Sequence, residues 1–284
     1  MNLSVHIECG DCLEVLTTLP SASVDAVITD PPYPMTKRDY GMLTVEEWWT
    51  LIVEGVVPEV RRILKPTGSA VFILQPNSEH VGQMRGWLWE FMAWVCREWN
   101  MVQDVWWWNF TAVPTGVCVP RSRGLLRASV KACVWCGAPK CFRNQENVLW
   151  SESQETAKER ARKRINKRNE RPSGQGMNPA QCVQICAERG GVTPYNLLPF
   201  ANANSTTSAG AHGHGAGTPI RLADWWTRYM VSPGGTVLDP FFGSGTMGIA
   251  ALQNGCNIIG IDKEKRYCEM ARERLSKCQL GLGI

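Results

Sequence analysis

The stretch TVLDPFFGSGTMGIAALQNGCNIIGID, Thr236 to Asp262, is the most informative part of the chain. Its apolar start predicts a buried strand over 236–241, the turn FFGSG predicts a break, and the residues from Thr246 to about Asn254 predict a helix. A second apolar run, NIIGI, predicts another buried strand that ends on Asp262. Strand, glycine-rich turn, helix and strand in this order form a parallel β–α–β unit. Gly243 and Gly245, with Ser244 between them, allow tight backbone geometry and close approach of a ligand. Asp262 at the neighbouring strand tip is placed for ribose hydroxyls, so a nucleoside cofactor is expected at the carboxyl ends of the strands. The spacing is not the GxGxxG of dinucleotide-binding folds, and no lysine follows as in a P-loop, which disfavours NAD and ATP.

A second strand, VDAVIT, runs into DPPY at Asp30–Tyr33. Two prolines cannot continue a central strand, so Pro31 and Pro32 fix a rigid turn beyond Asp30. The turn presents a carboxylate, a proline carbonyl that accepts without its own amide donor, and the aromatic face of Tyr33. Two acceptors beside a stacking surface suit a planar group that carries an amine, such as a nucleobase.

The rest of the chain alternates in the same way. Residues 3–8 and SAVFIL predict strands, as does VQDVWWWNF. CLEVLTTLP predicts a helix, and a longer helix begins at a Thr44 cap with Glu46 and Glu47 in its first turn. Pro58 is expected to interrupt or kink that helix. Further helices are expected over GQMRGWLWEFMAWVCREWN, 220–231 and YCEMARERLSKC. The fold class is therefore α/β, a Rossmann-like, mostly parallel sheet with helices on both faces. The alternation breaks after residue 115. Residues 1–115 with 214–284 are assigned to the sheet domain, and 116–213 to an insertion that ends in a glycine-rich linker containing His212 and His214. Within the insertion, KACVWCG and CFRNQENVLW predict two short strands.

The chain has 284 residues with 44% apolar content and a net charge of +4, enough for one large domain with an insertion. Its thirteen tryptophans are expected chiefly as core packing. The N-terminus lacks the layout of a signal peptide and no apolar run reaches membrane-span length, so a cytoplasmic chain with reduced thiols and no membrane partner is expected. Cys133, Cys136 and Cys141 raise a zinc question, but cysteines also suit strands as small apolar residues, and no metal is expected. Between Lys158 and Arg171 lie eight basic and two acidic residues. At helical spacing Arg160, Arg164, Lys167, Arg168 and Arg171 share one basic face, of the kind that can contact phosphates.

The segments GDCLEVLTTLPSASVDAVITDPPY, GTPIRLADWW and VLDPFFGSGTMGIAALQNGCNIIGIDKEKRYCEMARERL together resemble the DNA amino-methyltransferases. The resemblance covers roughly residues 6–110 and 214–275 and follows the beta-group order, with the catalytic turn first and target recognition between the motifs. It implies S-adenosylmethionine as cofactor, double-stranded DNA as partner, and a flipped base held at Asp30, Pro31, Pro32 and Tyr33. It assigns the cofactor to Asp239, Phe241, Gly243, Ser244, Gly245 and Thr246, with Asp262 and Lys263 at the ribose, Asp11 and Cys12 near the adenine, and Asp30 shared with the catalytic turn. Thr218 and Pro219 match the segment leading into the cofactor site, where Gly215 and Thr218 replace the family's usual Pro and Lys. Asp leading the turn favours N6 of adenine, since serine is commoner in cytosine-N4 enzymes; N4-cytosine transfer and an inactive DNA-binding relative are the alternatives. A restriction-modification context, a homodimer and a partner endonuclease are left open.

Overall fold

The structure is a computed structural model that describes residues 3–37, 41–112, 125–151, 179–202 and 217–282. The chain forms two compact units, Met1–Arg143 with Asn196–Ile284, and Asn144–Tyr195.

The larger unit opens with β1 (Val5–Cys9), α1 (Cys12–Thr18) and β2 (Val24–Thr29). A helix then starts at Thr44, whose hydroxyl and the Glu47 carboxylate cap each other's backbone amides. It runs as α2 (Val45–Trp49), a π-helical stretch Thr50–Val56, and α3 (Val57–Ile63). Pro58 has no N–H to return to the preceding turn. The α-helix is interrupted ahead of it, as expected, by the wider π-helical turns, with the Val57 amide reaching back to the Ile52 carbonyl, and resumes as α3. β3 (Leu64–Leu74) follows, with a register irregularity between Leu64 and Ser69 that absorbs the KPTG segment. A short hairpin of β4 (Ser78–His80) and β5 (Gln83–Met84) precedes α4 (Trp87–Glu98), β6 (Met101–Trp108) and β7 (Val130–Gly137).

The smaller unit contains a 3-10 turn, Gln145–Val148, and α5 (Pro179–Arg189). Within it, Arg189 pairs with Glu146 at 3.0 Å, and Trp150 bridges Val192 antiparallel. The chain then returns to the larger unit through β8 (Leu197–Pro199), α6 (Ile220–Met230), β9 (Thr236–Asp239), α7 (Thr246–Gln253), β10 (Asn257–Asp262) and α8 (Lys265–Leu282).

The strand order is β1-β10-β9-β2-β3-β7-β6-β8. Neighbours are parallel except at β7, which runs against both β3 and β6. One core layer packs α1, the π-helical stretch, α3 and α4 against the sheet, with Trp48, Ile52, Phe72 and Phe91 fully buried in it. α6, α7 and α8 form the other layer, where Trp226 meets Trp135 of β7 at 5.9 Å between ring centroids. Several tryptophans are thus core residues as expected, although Trp89 and Trp108 are exposed.

The 116–213 insertion is redrawn by the sheet. β7 and β8 are strands of the larger unit, and the separate compact unit is Asn144–Tyr195. The alternation stops at β6 because β6 and β7 pair antiparallel, so no crossover helix is needed between them. The second expected strand, CFRNQENVLW, instead holds the 3-10 turn. Cys133 and Cys136 stand three apart on β7 and therefore face opposite sides of the sheet. Cys136 belongs to the α3–α4 core layer, whereas Cys133 lies by Trp226. The CxxC spacing on this strand therefore cannot chelate one ion. Among the described residues no helix is long and apolar enough to cross a membrane.

Candidate active site

Four adjacent parallel strands end at the same edge of the sheet, and each carries an aspartate at or just past its tip. In spatial order these are Asp11 after β1, Asp262 of β10, Asp239 of β9 and Asp30 after β2. β9 continues toward β10 and β2 toward β3, so the chain departs in opposite directions from the β9–β2 pair. Such a switch point leaves a crevice at the carboxyl ends of the strands. A cavity of about 780 Å³ opens there, and all four aspartates line it.

The two expected motifs meet directly. The Thr29 hydroxyl, at the end of β2, donates to Asp239 Oδ1 at 2.7 Å, and the same oxygen accepts the Phe241 amide at 3.0 Å. Asp239 is 3% exposed, and burial pushes its carboxyl up to about 7, against the two hydrogen bonds that favour the ionised form. Asp262 receives the Gly243 amide at 2.7 Å on one oxygen and the Glu264 amide at 2.9 Å on the other. This ties the glycine-rich turn to the neighbouring strand tip. Asp11 caps α1 through the Leu13 amide at 2.8 Å. Beside it Cys12 is buried, and desolvation raises its thiol to about 12, so it stays neutral.

Phe241, Gly243, Ser244, Thr246, Lys263 and Thr218 also line the cavity. Gly243 has φ +51° and Gly245 φ +79°, which confirms the tight turn. Gly245 serves helix packing rather than ligand approach: a Cβ there would lie 2.9 Å from Leu275 and 3.0 Å from Ala271 of α8. Pro219 is the residue that starts α6 and is not among the cavity-lining residues. Arg160, Arg164, Lys167, Arg168 and Arg171 lie outside the described residues, as do His212 and His214.

Pro31, Pro32 and Tyr33 line the cavity beside Asp30. The Asp30 carboxylate has partners from three elements. Tyr33 donates its hydroxyl to Oδ1, Thr218 donates to Oδ2 at 2.7 Å, and Lys131 Nζ stands 3.9 Å from Oδ2. The Tyr33 ring is 8% exposed, so its face is less open than the sequence suggests. The geometry offers a carboxylate next to a cofactor-sized cavity, held for acceptance of hydrogen bonds.

A family model described as DNA methylase, of the N6/N4 type, matches residues 24–273. The chain belongs to this family. It is 26% identical to the type II methyltransferase M.HinfI of Haemophilus influenzae, over 94% of this chain and 67% of that one. It is also 25% identical to the type II methyltransferase M.PvuII of Proteus hauseri, over 94% and 81%. In fold it is similar to the PvuII DNA methyltransferase, described as cytosine-N4-specific, with a TM-score of 0.71, 20% identity, and 97% and 91% of the two chains covered. The M1.HpyAVI–SAM complex gives a TM-score of 0.58 at 18% identity, over 95% and 98%.

In this N6/N4 methylase two residues beside the DPPY turn escape the sequence reading. Trp48 donates its indole N–H to the Pro32 carbonyl at 2.9 Å and pins the turn from the core. Lys131 approaches from β7, donating to the Tyr33 hydroxyl at 3.0 Å. Neither had a local signal: Trp48 reads as an amphipathic helix residue, and Lys131 as the polar start of a strand in an insertion.

Proposed function

We propose that the protein is a site-specific DNA methyltransferase that modifies the exocyclic N6 amine of adenine. The observation that carries this reading is Asp30 at the tip of β2, tied through Thr29 and Asp239 to the glycine-rich turn across the switch point. The cofactor is S-adenosylmethionine. The residues fit it. The cavity is large enough for a nucleoside with an amino-acid tail, Asp262 and Asp11 supply acceptors at one end, and buried Asp239 favours a cationic neighbour. When bound, it supplies an electrophilic methyl group.

The chain's own residues do the positioning. An exocyclic amine is a weak nucleophile because its lone pair is delocalised into the ring. Hydrogen bonds from its two protons to Asp30 and to the Pro31 carbonyl favour a pyramidal nitrogen whose lone pair faces the methyl group. Holding two reactants in line supplies much of the barrier reduction. Thr218, Tyr33 and Lys131 fix the carboxylate that does this. Asp30 orients rather than deprotonates; the proton leaves after transfer. A base inside a duplex cannot reach this edge and must be flipped out, at a cost of a few kcal/mol.

N4-cytosine transfer is the second reading. It is supported by the 25% identity to M.PvuII, whose structure is described as cytosine-N4-specific. Asp at position 30 favours adenine. The relatives' type II naming supports a restriction-modification setting. Sequencing modified bases in DNA from cells expressing the protein reads both base and site. N6-methyladenine in one recurrent sequence is the expected result, N4-methylcytosine overturns the adenine assignment, and unmodified DNA overturns the activity.

A further inference from the structure

The cavity is lined by Asp30 together with the tips of β9 and β10 and the segment that follows β2, and β7 approaches the same carboxylate across β3. β7 runs against its neighbours and therefore delivers its first residues to the edge where the other strands end. Lys131 is one of these. It pairs in register with Trp107, and its side chain is 17% exposed. Its ammonium lies over two rings, 4.8 Å from the Trp107 centroid and 5.2 Å from that of Tyr33. Lys131 does not line the 780 Å³ cavity. It reaches Asp30 from the β3–β7 side, outside the cavity.

The contact between Lys131 Nζ and Asp30 Oδ2, at 3.9 Å, is looser than a charge-assisted hydrogen bond. The pair therefore presents an acceptor and a three-proton donor side by side. On adenine and on cytosine the exocyclic amine sits next to an unprotonated ring nitrogen, N1 or N3, on the pairing edge. Donor beside acceptor on the base matches acceptor beside donor on the protein. We propose that Lys131 hydrogen-bonds this ring nitrogen of the flipped base while Asp30 holds the amine. The inference rests on the amino-methyltransferase reading. It makes Lys131 a residue that reads the target base and replaces a pairing hydrogen bond lost on flipping.

The test uses duplexes carrying the recognition sequence found by sequencing, with the target base either natural or replaced by its deaza analogue, 1-deazaadenine or 3-deazacytosine. The analogue keeps the amine and turns the ring nitrogen into C–H. Methyl-transfer rates are measured for wild type, Lys131→Met and Lys131→Arg. In the wild type the analogue is expected to react at least about tenfold more slowly, the loss typical of a site left with an unmet charged donor. Lys131→Met is expected to be slowed on the natural base and to lose nothing more on the analogue, with S-adenosylmethionine affinity by calorimetry within twofold of wild type. Lys131→Arg keeps the donor and is expected to keep discriminating. Comparison of the ratios cancels any intrinsic difference in amine reactivity. A natural-to-analogue ratio that Lys131→Met leaves unchanged overturns the inference, since the lysine then acts only through Tyr33 and Asp30. If the Met variant does not fold, equal rates on the two bases in wild type and Lys131→Arg overturn it as well. Failure of the wild type to methylate any natural duplex overturns the functional reading, and this inference with it.

Discussion

Asp239 sits between Asp30 and Asp262 with almost no contact with water, and its carboxyl is raised to about 7 from an ordinary 3.8, first by burial and then by those neighbouring charges. The folded protein therefore holds a proton that the unfolded chain has released between these values. Stability from this group is greatest at acid pH, falls as pH rises from about 4 to about 7, and is flat above. Asn at this position keeps the acceptor used by Thr29 and Phe241 and removes the buried charge. Asp239→Asn is expected to melt several degrees higher than wild type at pH 8, with the difference vanishing near pH 4, in thermal melts across that range. The same variant is expected to bind S-adenosylmethionine more weakly, by about tenfold, and wild-type affinity is expected to rise as pH passes upward through about 7. A wild-type affinity that is flat from pH 6 to 8 speaks against Asp239 facing the cofactor's cationic part. Asp30 is expected to behave differently. Asp30→Ala removes the acceptor proposed for the target amine and is expected to lower methyl transfer by at least about a thousandfold while calorimetry shows cofactor binding within a few-fold, because that contact is to the base rather than to the cofactor.

At the scale of elements, the legible parts were those whose signal is local. β2 and β10 fall at the residues where their apolar runs begin and end, and the Thr44 cap is made by the expected side chain. The turn glycines have the positive φ that a strand-to-helix reversal requires. The parts that were not legible depend on partners distant in sequence. β8 is three residues long and exists because β6 offers an edge to pair with. β7 was recognised as a strand, but nothing in its sequence says that it inserts antiparallel between β3 and β6. Its position is what carries Lys131 to Asp30. Arg274 is another such case. It lies on α8, 8% exposed, and reaches across to donate to both the carbonyl and, at 2.8 Å, the hydroxyl of Ser244 in the glycine-rich turn. The sequence stretch ARERL reads as an ordinary charged helix face, yet this arginine anchors the turn from behind. Arg274→Leu is expected to leave the two Ser244 oxygens with a lost partner, costing about 1–3 kcal/mol of stability. It is also expected to weaken S-adenosylmethionine binding about tenfold, because the turn loses its fixed shape; chemical denaturation and calorimetry measure the two effects. Unchanged affinity with reduced stability would make the contact purely structural.

For the whole molecule, the arrangement divides labour across the sheet. One half, β1, β10 and β9, brings acids and the glycine-rich turn to the cavity, and the other half, β2, β3 and β7, brings the DPPY turn and Lys131 to Asp30. Both halves use the same edge, so DNA must approach that edge. The formal charge of the chain is only +4, too small to attract a polyanion through its net value. Affinity for the duplex must come from local concentrations of positive charge. The densest in the sequence is Lys158–Arg171, where Arg160, Arg164, Lys167, Arg168 and Arg171 recur at helical spacing. We propose that these five contact phosphates. Each phosphate neutralised releases close to one condensed counterion, so the slope of log affinity against log salt reports how many are in contact. Replacing all five with Gln is expected to reduce that slope by up to roughly 4, and to weaken binding of cognate and unrelated duplexes by similar factors, since phosphate contacts position without reading sequence. Fluorescence anisotropy at 50 to 200 mM salt, conditions on the order of those where such slopes are measured, gives both quantities. A slope equal to that of the wild type places the phosphate contacts elsewhere on the chain. A loss confined to the cognate duplex assigns the run to base recognition instead.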